Sequence, residues 1–122
     1  MRGAGTIGVC FAAMAGIGCS ETLPGPVCTA DFRYGLSITV LDGAGGPAAE
    51  GAIGTAVEGS YQETLEVFGP DAMVGAGERP GTYDITVSKT GHMTWSAQNV
   101  TVTADECHVI PVSLEANLIP VP

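Results

Sequence analysis

Between Leu36 and Leu114 apolar residues return at every second position rather than at helical spacing. Leu36-Ser37-Ile38-Thr39-Val40 alternates, and so do Tyr83-Asp84-Ile85-Thr86-Val87, Val100-Thr101-Val102 and Ile110-Pro111-Val112-Ser113-Leu114. In an extended chain successive side chains leave on opposite faces, so each segment has one apolar and one polar face. The intervening Thr, Ser and Asp suit a sheet buried on one side and wet on the other. Tyr61 to Phe68 is a further strand candidate, although Glu63, Leu65 and Glu66 also suit a short helix. Turn signals cut the chain at Asp42-Gly43-Ala44-Gly45-Gly46-Pro47, Glu58-Gly59-Ser60, Phe68-Gly69-Pro70-Asp71, Arg79-Pro80-Gly81 and Thr90-Gly91. The spacing predicts an all-β fold, a small antiparallel β-sandwich of about seven strands. Its shared core is expected to take Ile38, Val40, Tyr83, Ile85, Val87, Val100, Val102, Ile110, Val112 and Leu114, and Trp95 is expected in the core rather than as an exposed anchor.

A chain of 122 residues has room for one small domain. It carries 13 Asp and Glu against 4 Lys and Arg, a formal charge of −9. The basic residues, Arg2, Arg33, Arg79 and Lys89, form no run, so the chain would repel a phosphate backbone. Nucleic-acid binding is excluded on that ground. The carboxylates are scattered singly apart from Asp105-Glu106, which reads as solvation of strand faces and loops.

The N-terminus has a different character. Arg2 is followed by an uncharged run from Gly3 to Gly18, with Ile7 to Ile17 as an apolar centre. This is the layout of an export signal, and its glycines argue against a stable helix. Two processing routes fit. Ala13-Met14-Ala15 satisfies the small-x-small rule for ordinary secretory cleavage. Gly16-Ile17-Gly18-Cys19 resembles a bacterial lipobox, with Gly where Leu is usual, and implies lipidation at Cys19. The Ser20 to Pro26 segment that follows is polar and Pro-rich, as a tether would be. The expected organisation is a signal peptide over 1–18, a tether over 19–30 and one domain over 31–122.

Of the four cysteines, Cys10 falls within the signal and Cys19 is the lipidation candidate. Cys28 and Cys107 remain as a pair in an exported, disulfide-permissive chain. A bridge between them closes a loop of about 80 residues, worth on the order of 4.5 kcal/mol in the chain-entropy treatment.

The strand Ile38 to Leu41, then Asp42-x-x-Gly45-x-Pro47, Glu58-Gly59-Ser60-Tyr61, Pro80-Gly81-Thr82-Tyr83-x-Ile85-x-Val87-x-Lys89-x-Gly91-His92 and Val100-x-Val102 form a recognisable series. It resembles bacterial carboxypeptidase regulatory-like domains, which are transthyretin-like (prealbumin-like) β-sandwiches, over about Arg33 to Leu114. His92 stands where that family more often has Tyr or Phe. The resemblance implies a non-catalytic module, and Cys107-His108-Val109 looks like the end of a clamping disulfide in small exported members. Independently of the family, Pro80-Gly81 suits a tight turn, with Pro fixing φ and Gly permitting positive φ.

Catalytic patterns are missing from the sequence. His92 and His108 are the only imidazoles, and neither sits in G-x-S-x-G or H-E-x-x-H. Both read as partly exposed histidines at strand edges. The ureide hydrolases of transthyretin-like fold end in a Tyr-Arg-Gly-Ser type tail, whereas this chain ends Leu118-Ile119-Pro120-Val121-Pro122. The expectation is therefore no catalytic, cofactor or metal residues and no enzyme activity. The protein is expected to be a cell-envelope β-sandwich, lipid-anchored or secreted, acting in binding, adhesion or envelope structure on a protein or carbohydrate ligand. A secreted peptidase accessory or inhibitor and a small hydrolase are the alternatives.

Overall fold

The computed structural model describes residues 27–122. The expected export signal, its expected processing sites and Cys19 lie outside the described residues. Nine strands follow in order: β1 (Tyr34–Asp42), β2 (Ile53–Glu58), β3 (Tyr61–Thr64), β4 (Glu66–Val67), β5 (Ala72–Gly77), β6 (Gly81–Ser88), β7 (Trp95–Ala104), β8 (Val109–Ile110) and β9 (Val112–Leu118). They build a four-stranded sheet in the order β4-β5-β1-β9 and a five-stranded sheet in the order β3-β2-β6-β7-β8. The sheets pack as a small sandwich, and no helix occurs among the described residues.

The alternation in β6 is read as the sequence suggests. Tyr83, Ile85 and Val87 are fully buried, while Thr82, Asp84 and Thr86 between them are exposed. Leu36, Ile38 and Val40 of β1, Met73 of β5 and Val102 of β7 complete the centre of the core. Full burial of an aliphatic or aromatic side chain of this size contributes about 1.5–3 kcal/mol. The two sheets approach closely at Gly54, where a Cβ would stand 2.7 Å from Met73 Sδ and 2.9 Å from Leu65 Cδ1.

The structure differs from the sequence expectation in several places. There are nine strands rather than about seven: two expected strands are each divided, and β2 and β5 fall outside the alternating segments. Tyr61 to Phe68 is neither one strand nor a helix. The chain leaves the five-stranded sheet after Thr64, buries Leu65 and enters the four-stranded sheet as β4. The Leu65 N–H donates to the Gly54 carbonyl at 2.8 Å, which holds the crossing. Pro111 similarly separates β8, in the five-stranded sheet, from β9 in the other. Ile110 consequently points outward and is half-exposed, Val112 and Leu114 only flank the core, and Val109, Ala116 and Leu118 are the buried residues.

The sandwich is also not wholly antiparallel. β9 lies parallel to β1, with Leu36 opposite Val112 and Val40 opposite Ala116. The left-handed residues near Arg79-Pro80-Gly81 are Ala76 and Glu78, with φ of 52° and 47°, and Gly81 is already part of β6. Trp95 and Val100, both expected in the core, are partly buried and pack against it rather than within it.

The outward face of the five-stranded sheet is regular. Thr64 pairs with Thr55, Thr55 with Thr86, and Thr86 with Ser96, so four hydroxyls form one row across β3, β2, β6 and β7. A second pair, Thr82 and Thr101, brings its hydroxyl oxygens to 3.2 Å. Between the two, β7 carries a bulge at Asn99, whose φ is 57° and whose N–H donates to Asp84 Oδ1 at 3.0 Å.

Candidate functional site

The chain enters the sandwich as an extended arm, and polar chemistry gathers where that arm meets the β5–β6 turn and the β7–β8 hairpin. Cys28 of the arm and Cys107 of the hairpin form a disulfide, their Cα atoms 5.1 Å apart and 79 residues apart in sequence. This is the pair expected from the cysteine arithmetic.

The residue after Cys107 is the centre of a second clamp. His108 is 8% exposed, not the partly exposed edge residue expected from sequence. Its Nδ1 lies 2.6 Å from Glu78 Oε2, and a carboxylate can only accept, so the imidazole donates there. On the other side its Nε2 lies 3.1 Å from Thr29 Oγ1 and 3.6 Å from Asp31 Oδ1. Thr29 in turn donates its hydroxyl proton to Asp31, which also receives Arg33 Nε–H at 2.8 Å.

Glu78 is the hub of this arrangement. Besides His108, its carboxylate accepts the Arg33 N–H at 3.0 Å and the Val109 N–H at 3.1 Å, and the Glu78 N–H donates to the Arg33 carbonyl at 2.9 Å. The left-handed backbone at Glu78 turns the residue into this position. A non-glycine residue pays for such a conformation only where its surroundings over-determine it. Asp105 caps the hairpin, its Oδ1 accepting the N–H groups of Cys107 at 2.8 Å and His108 at 2.9 Å.

These bonds set the charges. The His108 hydrogen bond, with backbone donors behind it, holds the Glu78 carboxyl below the ordinary carboxylate range. The backbone N–H of His108, then that of Cys107, does the same for Asp105. Asp31 is lowered further, first by the Thr29 hydroxyl and then by Arg33. All three carboxylates are therefore ionised across the neutral range.

The sequence Glu78–His108–Thr29 has the order of an acid, an imidazole and a hydroxyl. Thr29 Oγ1 faces both Asp31, to which it donates, and His108 Nε2 at 3.1 Å, where the direction of the bond follows the imidazole tautomer. The cluster as arranged ties three segments together. A cleft of about 350 Å³ opens beside it, walled by Glu78, Pro80, Asp105, Glu106 and His108.

The remaining sequence candidates lie elsewhere. His92 is at the opposite end of the sandwich, where Gly91 takes φ of 82° and the C-terminal segment pairs with the turn through Met93 N–H to Ile119 O at 2.7 Å. The two imidazoles are thus not brought together. Among the described residues no three His, Cys, Asp or Glu side chains are grouped to hold a metal ion. Sequence reading missed Glu78 and Thr29, because their roles depend on residues 30 and 79 positions away. The only local signal was the adjacency of His108 to a disulfide cysteine. No family model matches the chain, and no curated protein matches it.

Proposed function

We propose that the protein is a non-catalytic, carboxypeptidase regulatory-like β-sandwich displayed outside the cytoplasm on a lipid anchor at Cys19, where it serves as a binding module of the cell envelope. The observation that carries this reading is the Cys28–Cys107 bridge, set at the junction between the expected tether and the folded domain. A disulfide persists in an oxidising compartment, which supports an extracytoplasmic setting. Its position also supports a tether. Force or thermal motion transmitted along residues 19–27 would otherwise peel the arm from the β5–β6 turn, and the bridge delivers that load to the β7–β8 hairpin instead.

The use of the polar groups around His108 to hold the arm supports the non-catalytic part of the proposal. The partners of His108 are spent on holding the arm, and Glu78 and Asp105 are committed to backbone donors.

The experiment is metabolic labelling of the full chain with a radioactive fatty acid in a bacterial host, followed by membrane fractionation. Label in the native protein, its loss in Cys19→Ala and release of that variant from the membrane are the expected results. An unlabelled native protein with a free Cys19 thiol would reject the anchor and leave a secreted domain.

A further inference from the structure

The outward face of the five-stranded sheet differs from the rest of this acidic molecule. Thr64, Thr55, Thr86 and Ser96 stand side by side on four adjacent strands, and Thr82 and Thr101 extend the pattern beyond the Asn99 bulge. Neighbouring strands are about 4.8 Å apart, so the row offers one hydroxyl per strand at that interval. Strand propensity explains why Thr is used there. It does not explain the missing charge. The one ionisable side chain among the outward positions of β2, β3, β6 and β7 is Asp84, and one of its oxygens already accepts the Asn99 N–H. An exposed sheet usually carries Lys and Glu, both for solubility and to deter edge pairing.

We infer that this face binds a neutral polysaccharide, lying across the strands along the Thr64–Thr55–Thr86–Ser96 row. Each serine or threonine hydroxyl both donates and accepts, as each sugar hydroxyl does, so the row matches a ligand of its own chemistry without a charged partner. The surrounding carboxylates, part of a net charge of −9, disfavour an anionic polymer. The same charge disfavours a second copy of the chain as the occupant. This inference rests on the reading of the protein as a binding module and supplies the class of its ligand.

The test uses the full chain on amylose, cellulose and chitin resins, with alginate beads as the anionic probe. Native protein is expected to be retained by at least one neutral resin and not by alginate. The double variant Thr55→Val/Thr86→Val keeps the branched shape and removes two central hydroxyls. With about 1 kcal/mol for each net hydrogen bond, its affinity should fall roughly tenfold or more. Thr86→Ala alone is a second, milder variant, and an unchanged Trp95 emission spectrum shows that each variant is folded. Ser113→Ala, on the other sheet, should bind as the native protein does. Passage of the native protein through all three neutral resins overturns the inference, as does equal retention of the double variant or retention on alginate. Self-association that sedimentation detects, and that the double variant abolishes, also overturns it and makes the face a dimer interface. None of these results bears on the fatty-acid labelling of Cys19, which tests the anchored module separately.

Discussion

Glu78 Oε2 and His108 Nδ1 stand 2.6 Å apart and join the β5–β6 turn to the hairpin that carries Cys107. The noncovalent clamp and the disulfide thus grip the same arm from adjacent residues. Their contributions separate by pH and by reductant.

Acid should loosen the noncovalent clamp. Glu78, Asp31 and Asp105 titrate below their ordinary range in the folded state. A carboxyl depressed in this way stabilises the fold above its unfolded pKa of about 4, and that stability is lost as pH falls. Thermal melting is expected to be flat above roughly pH 5 and to decline below roughly pH 4. Glu78→Gln should melt lower at neutral pH and show a shallower acid limb. An acid limb as steep as that of the native protein would assign it to other carboxylates.

Cys107→Ser should cost roughly 2–5 kcal/mol in chemical denaturation, since it removes a constraint on a long loop. Peptide mapping without reduction should recover Cys28 and Cys107 linked, as their positions in the structure require. Alkylation of both thiols in the native exported protein would contradict this.

The core can be tested at neighbouring positions of β6. Ile85→Ala empties a fully buried site and should cost about 2–5 kcal/mol. Thr86→Ala, on the exposed face, should change stability by only about 0.5 kcal/mol. Equal costs in denaturant titrations would mean that the alternation does not set the faces.

The bulge supplies a fourth test. Asn99 occupies the left-handed region, which Asn tolerates and a β-branched residue does not. Asn99→Val should therefore lose about 1–2 kcal/mol, whereas Asn99→Gly should stay close to native. A harmless Asn99→Val, measured by thermal melting, would show that the register shift in β7 moves freely.

Sequence periodicity made the central strands legible because Leu36 to Val40 and Tyr83 to Val87 each have one buried face. It failed where a strand changes sheet. Leu65 and Pro111 sit at such crossings, and a period-2 reading carried through Pro111 assigns Ile110 to the core when Val109 is the buried neighbour. The parallel partnership of β1 and β9 left no local mark either, since each strand alternates in the same way whichever direction its neighbour runs. At the arm, the cysteine pair was readable by arithmetic. Glu78 was not, because a left-handed glutamate beside Arg79-Pro80-Gly81 gives no signal until the hairpin carrying His108 folds over it.

The pairing of Leu36 with Val112 also fixes a timetable. A chain made N-terminus first presents β1 long before β9 arrives to cover its second edge. Cys28 likewise waits for Cys107 through 79 residues of emerging chain. During that interval an apolar strand has an open edge and a thiol has no proper partner, which are the conditions for pairing with other chains. The closing contacts form together at the end, so the domain matures as a unit only after its last strand has emerged.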